Sequence, residues 1–284
     1  MDAFVEKIAA RIGEVPGVVA VALGGSRARG DADADSDFDF GIYYDPAALP
    51  DLARLSEVAR ELDDRHPAEP LTGIGGWGPW INGGGWLEID GRRVDWIYRD
   101  LERVAAAISD CRAGRIARYY QPGHPHAFHT HIYMGEVHYA RPLFDPAGRL
   151  RALAARTRPY PAELKRAILD AFLWEADFAL RTAEKSVARE DRYHATGSFF
   201  RSIACVIQVL FAVNERYFVN EKTSVDAVRS FERRPKAFDS AVAAAFSGER
   251  LTNAFSRVAS LVEETRVLAG ATEPKSFSRH RRSI

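Results

Sequence analysis

The run from Val18 to Tyr44, VVAVALGGSRARGDADADSDFDFGIYY, narrows the folds open to this chain more than any other stretch. Its two ends, an apolar VVAVAL and an aromatic FDFGIYY, each read as a short buried strand. Between them Gly24, Gly25 and Ser26 suit a turn with a short helix, and five aspartates follow at positions 31, 33, 35, 37 and 39. Residues two apart in a strand project from one face, so Asp37 and Asp39 stand side by side. Adjacent carboxylates repel unless a cation lies between them, and hard oxygen donors favour Mg2+. The loop ahead of them offers backbone N–H groups and the Ser26 hydroxyl beside a helix start, an arrangement suited to phosphate.

A second pattern adds to the first. In WLEIDGRRVDWIY, Asp90-Gly91 separates two apolar-rich runs, a strong short-range hairpin signal. A two-residue turn sets Leu87 opposite Val94 and Trp86 opposite Asp95. Asp95 then shares a face with Trp86, Glu88, Arg93 and Ile97, and a third carboxylate can join the pair from a neighbouring strand. A phosphate cradle with three carboxylates is the equipment of metal-assisted phosphoryl or nucleotidyl transfer.

At GGS, SDFD and VDWIY the sequence resembles the DNA-polymerase-β-type nucleotidyltransferase superfamily, whose signature is a GS dipeptide, a D-x-D strand about ten residues on, and a third acid in a later strand. RARG and SDFDFGIYY look most like the antibiotic-modifying branch, which includes aminoglycoside and lincosamide nucleotidyltransferases. The resemblance is strong over Val18 to Tyr98 and weaker beyond. It implies that Asp37, Asp39 and Asp95 hold metal, two Mg2+ ions in all, and that Gly24, Gly25, Ser26 and Arg27 bind the triphosphate of ATP or another nucleotide. Asp95 is also a candidate for taking the proton of the acceptor hydroxyl. In some relatives a separate glutamate is the base, which nominates Glu88. The segment LFAVNERYFVNEK resembles one that brings a lysine to the triphosphate and nominates Lys222.

The rest of the chain frames this site. Asp2 can cap a first helix with Phe4, Ile8 and Ile12 on its apolar face, ended by GEVPG. Leu52, Leu55, Val58 and Leu62 mark an amphipathic helix within 49–65. LTGIGGWGPWINGGG reads as a flexible loop at the site rim. From Leu150 the chain reads helical, with helices over 162–188 and 193–214 and two shorter ones up to Ala269. The expected fold is α+β: a nucleotidyltransferase domain with a mixed sheet over 1–145, then a helical bundle over 146–284 that closes on substrate and nucleotide. Lysine plus arginine and aspartate plus glutamate both number 39. That balance argues against tracking a long nucleic acid, where a basic surface supplies affinity, and favours a small acceptor. Two distant cysteines, no leader-like start and no apolar run read as long enough to span a bilayer point to a cytoplasmic protein without a membrane partner, acting as monomer or homodimer.

Other signals carry less. Asp31, Asp33 and Asp35 open like a calcium loop, but Ser36 replaces the sixth-position glycine and Ile42 the twelfth-position glutamate, so they read as solvated acids. His124, His126, His129, His131 and His138 match no standard zinc spacing and read as a structural or substrate-lining linker. Trp77, Trp80 and Trp86 can stack on a base or a substrate ring, while Trp96 reads as core. The leading expectation is transfer of a nucleoside monophosphate, AMP from ATP, to a hydroxyl of a small molecule such as an aminoglycoside-like antibiotic. Transfer to a protein or RNA acceptor, and a non-catalytic nucleotide sensor, stay open as alternatives.

Overall fold

The structure, a computed structural model, describes residues 3–270; Asp2, expected to cap the first helix, lies outside them. The chain divides into two compact units, Met1–Leu164 with Tyr217–Asn220, and Lys165–Arg216 with Glu221–Ile284.

The first unit runs α1 (Ala3–Gly13), β1 (Val18–Leu23), α2 (Gly25–Arg29), β2 (Phe38–Tyr44), α3 (Leu52–Leu62), β3 (Gly84–Ile89), β4 (Arg92–Asp100), α4 (Leu101–Arg112), β5 (Arg118–Tyr119), β6 (Phe128–His129), α5 (Ile132–Tyr139), β7 (Arg141–Phe144) and α6 (Arg149–Ala155). Its five-stranded sheet has the order β3-β4-β2-β1-β7. β2 and β4 are parallel and the other pairs antiparallel, so the sheet is mixed and the fold α+β as expected. β5 and β6 form a separate two-stranded ribbon.

Alternation along the strands sorts the side chains. Phe38, Phe40 and Ile42 of β2 and Val94, Trp96 and Tyr98 of β4 face a core filled by Ile8 and Ile12 of α1 and Leu55 and Val58 of α3. The helix expected over 49–65 is shorter at both ends. The Asp51 carboxylate accepts from the Arg54 N–H and caps its start, while Asp63 turns out of helical geometry and is gripped by Arg65. Burial opposes ionisation of Asp63, but the bonds from Arg65 outweigh it and hold its pKa below the ordinary carboxylate value. In the hairpin, Asp90 and Gly91 both have positive φ (50° and 69°), the geometry of a two-residue type I′ turn.

The glycine-tryptophan loop, expected from its composition at a site rim, has long-range hydrogen-bond partners. Buried Gln121 donates to the Trp77 carbonyl (2.7 Å) and accepts from the Ile81 N–H (3.3 Å), and the Tyr133 hydroxyl donates to the Trp80 carbonyl (2.7 Å). These long-range partners satisfy backbone groups that glycine-rich sequence leaves undecided. On the sheet face opposite the core, Arg99 of β4 makes a two-pronged ion pair with Glu136 of α5 (2.7 and 2.8 Å). Burial alone would lower the Arg99 pKa; the Glu136 charge beside it reverses that and raises it. Burial also pushes up the neighbouring Tyr43 phenol.

The second unit holds most of α7 (Ala162–Ala188), then α8 (Arg192–Val213), α9 (Ser224–Arg229), α10 (Phe238–Phe246) and α11 (Leu251–Leu268). Among the described residues three helices thus follow α8 where two were expected, because Pro235 and Gly248 each break the helical run. By length and composition α8 could cross a membrane, contrary to the expectation that no run is long enough. Two-thirds of its most apolar window is buried inside the fold, and Phe199, Ile203, Val206 and Leu210 lie in the core.

Candidate active site

The sheet register assembles the acids. Parallel pairing aligns Asp39 of β2 with Asp95 of β4, and antiparallel pairing aligns Trp86 of β3 with the same Asp95. Directly paired residues share a face, so Trp86, Asp95 and Asp39 form a row across three adjacent strands, opposite the apolar core. Asp37 lies just before β2, two residues from Asp39. Asp37, Asp39 and Asp95 are all half-buried.

The glycine loop presses onto the end of this row. The Gly24 N–H donates to the Asp39 carbonyl at 2.8 Å. Gly25 adopts φ +62°, and a Cβ there would lie 1.8 Å from Asp39 Oδ2. Only glycine permits both the left-handed backbone and the close approach. α2 begins at Gly25, and its N-cap Gly24 supplies no side-chain cap, so no side chain of the cap covers the leading N–H groups of the first turn. Half-buried Ser26 stands in that turn.

Arg27, expected at the triphosphate, has a local task in the structure. Its Nε donates to the carbonyls of Ser36 (3.1 Å) and Asp37 (3.2 Å), and its guanidinium lies 3.7 Å from the centre of the Phe38 ring. It therefore clasps the backbone that carries the paired aspartates. The acids upstream are tied locally as well: Asp33 Oδ1 accepts from the Asp35 N–H (3.1 Å) and the Ser36 hydroxyl (2.7 Å).

Arg93, a residue to which sequence reasoning gave no role, is the cation closest to this cluster that the described contacts record. Its Nε lies 2.6 Å from Asp37 Oδ1, and its Nη2 donates to the Asp35 carbonyl. The contact with Asp37 is ionic rather than aligned, because this buried oxygen has no hydrogen bond of good geometry. Asp37, ion-paired with Arg93, two further half-buried carboxylates in register and a backbone too close for any Cβ together fit a divalent cation with a bound phosphate.

Glu88 is exposed and lies directly opposite Arg93 on the face of Asp95. Lys222 belongs to the second unit, where it is exposed in the turn before α9. Three members of the histidine tract are packed or hydrogen-bonded within the first unit. His129 and His131 are buried and stacked at 5.4 Å, His129 lies 3.4 Å from His126, and His138 pairs with the Thr157 hydroxyl at 3.0 Å.

Residues 5–70 match the family model of the nucleotidyltransferase domain, a span that includes the glycine loop, Asp37 and Asp39 but not Glu88 or Asp95. Residues 130–222 match a second family, described as a domain of unknown function (DUF4037). No curated protein matches the chain. Among solved structures, it is similar to a nucleotidyltransferase-like protein from Exiguobacterium sibiricum 255-15, with 10% identity, 94% of this chain and 74% of that chain covered, and a TM-score of 0.44.

Proposed function

We propose, taking the nucleotidyltransferase domain matched by residues 5–70 as the premise, that this protein transfers a nucleoside monophosphate, AMP from ATP, to a hydroxyl of a small molecule and releases pyrophosphate. The observation that carries the proposal is the alignment of Asp39 with Asp95 beside a glycine backbone pressed against the Asp39 carboxylate.

Asp37, Asp39 and Asp95 would hold two Mg2+ ions, which when bound neutralise the triphosphate and polarise the α-phosphorus. The N–H groups of Gly25 and Ser26 and the Ser26 hydroxyl receive the β- and γ-phosphates. Arg27 fixes the loop that carries Asp37. The acceptor oxygen attacks the α-phosphorus in line; its bond to phosphorus forms as the bond to the bridging oxygen breaks and pyrophosphate leaves. Glu88 or Asp95 takes the proton. The neutral balance of the chain and the resemblance to the antibiotic-modifying branch favour a small acceptor of the aminoglycoside class over a polynucleotide.

The test is pyrophosphate release from ATP and Mg2+ with a panel of hydroxylated small molecules, aminoglycosides among them. Mg2+- or Mn2+-dependent release that requires one acceptor is the expected result; a purified protein that neither binds Mg2+-ATP nor releases pyrophosphate with any acceptor overturns the reading. With an active acceptor in hand, Glu88→Gln is expected to slow turnover about 10²–10⁴-fold if it is the general base, with Mg2+-ATP affinity unchanged. A Glu88→Gln enzyme of normal rate would leave Asp95 as the base.

Ser26→Ala removes one hydrogen bond to a charged group, worth about 1.5–3 kcal/mol. Calorimetric titration with Mg2+-ATP should therefore show affinity weaker by about 10- to 100-fold, with turnover at saturating nucleotide largely kept. An unchanged dissociation constant would take Ser26 out of the phosphate site.

A further inference from the structure

Trp86 is the next feature along the row of acids, and the mechanism above does not use it. It is 65% exposed, the cross-strand partner of Asp95, and stacked on Trp77 with ring centres 4.5 Å apart and planes 20° from parallel. The exposed indole face offers apolar area that a ligand ring can cover.

The backbone of both tryptophans is anchored from behind. The Trp86 carbonyl accepts from Arg65 Nη2 at 2.7 Å, and Arg65 is itself anchored on the fully buried Asp63 carboxylate. The Trp77 carbonyl accepts from buried Gln121. A fixed aromatic face beside a reaction centre is pre-organised for a ring. Other stacked aromatics are not paired in register with the acids. Trp174 and Phe178 stack one turn apart along α7, in the second unit, and half-buried Trp80 stacks on exposed Tyr119 of β5, a strand outside the five-stranded sheet.

The order of elements decides which substrate meets the platform. Across the sheet, Trp86 is on β3, Asp95 on β4 and Asp39 on β2, with the glycine loop leaving β1 on the far side. In an in-line displacement the leaving and attacking oxygens lie on opposite sides of phosphorus. If the pyrophosphate occupies the glycine loop, the attacking hydroxyl enters from the β3 side, over Asp95 and beside Trp86.

We propose that Trp86, backed by Trp77, is the acceptor subsite, and that it selects a hydroxylated acceptor with a ring face and no negative charge. The ring face stacks on the indole. Anionic acceptors are disfavoured by the exposed Glu88 carboxylate on the same face, since Arg93 opposite it is engaged by Asp37. This inference rests on the nucleotidyltransferase reading for the direction of attack, whereas ring binding at Trp86 can be measured without any reaction.

The test follows the indole N–H signals of 15N-labelled protein by NMR, with the full chain. Three probes are compared at equal millimolar concentrations: phenyl β-glucoside as a neutral ring, glycerol as an open-chain polyol, and glucose 6-phosphate as an anionic ring. The phenyl glucoside should shift the Trp86 signal in a saturable way, at least five-fold more than either other probe. Trp86→Ala should abolish the saturable shifts and Trp86→Phe should keep part of the affinity. Mg2+-ATP should shift the amides of Gly24 to Ser26 without saturating the indole. A phenyl glucoside that leaves Trp86 unmoved, equal responses to all three probes, or binding that survives Trp86→Ala overturns the subsite. So does weaker Mg2+-ATP binding in Trp86→Ala, which would make the platform a nucleobase site. Failure of Mg2+-ATP to bind the unmodified protein counts against the nucleotidyltransferase reading alone, because the glucoside titration is read separately.

Discussion

Asp39→Asn should abolish nucleotidyl transfer, with a loss of at least about 10²–10³-fold, the scale on which removing one partner of transition-state charge acts. Asp39 stands at the centre of the site, in register with Asp95 and against Gly25. Asparagine keeps its size but removes one of three converging charges. The fold should survive, since less like-charge repulsion remains to oppose it. Two measurements check this: Mn2+ affinity followed by its paramagnetic signal should fall sharply, and the melting temperature in metal-free buffer should hold or rise. A variant that keeps Mn2+ binding and activity within a few-fold of the parent would remove Asp39 from the metal site. Asp37→Asn should also lower Mn2+ affinity, leaving Arg93 without its ion-pair partner on that loop.

The second large effect is expected at Gly25. An alanine there must adopt a left-handed backbone, costing about 1–2 kcal/mol, and must also push the Asp39 carboxylate aside, because its Cβ falls 1.8 Å from Oδ2. Shifting a reacting group by about 1 Å can cost on the order of 10²-fold in rate. Gly25→Ala should therefore combine a modest fall in melting temperature with loss of most Mg2+-ATP binding and turnover. Gly30→Ala is the matched control: Gly30 has φ +84°, with nothing within 4 Å of the added Cβ. It pays the backbone cost without the collision. Equal activity losses in the two variants would show that backbone strain, not contact with Asp39, is what glycine avoids at position 25.

Much of the site was legible because the signals are local. Period-two alternation places Asp39 on the face opposite Phe38 and Phe40, whereas Asp37, expected in the same strand, lies just before it; Asp90-Gly91 fixes the register that sets Trp86 opposite Asp95. Gly24, Gly25 and Ser26 read as a turn with a short helix, and α2 starts at Gly25. The helical second unit was readable from 3.6-residue periodicity, with α7 matching its expected limits and the count after α8 one short.

What the sequence by itself determined is thus the set of short-range relations: which acids share a face, where a hairpin turns, where helices begin. Only the tertiary structure decided relations between residues far apart along the chain. The parallel β2–β4 pairing that brings Asp39 to Asp95 joins strands more than fifty residues apart, and no local rule selects it over another neighbour. The ion pair of Arg93 with Asp37 spans a similar separation, and the clamp of Gln121 on the tryptophan loop about forty residues. Arg27 could be read from sequence only as a cation beside a phosphate loop; its carbonyl contacts and the Phe38 ring give it the task of holding the aspartates. The physical reason is common to all of these. Backbone geometry repeats over two to four residues and leaves a periodic trace, whereas long-range partners are chosen by burial, charge and the satisfaction of polar groups, which exist only once the chain has folded.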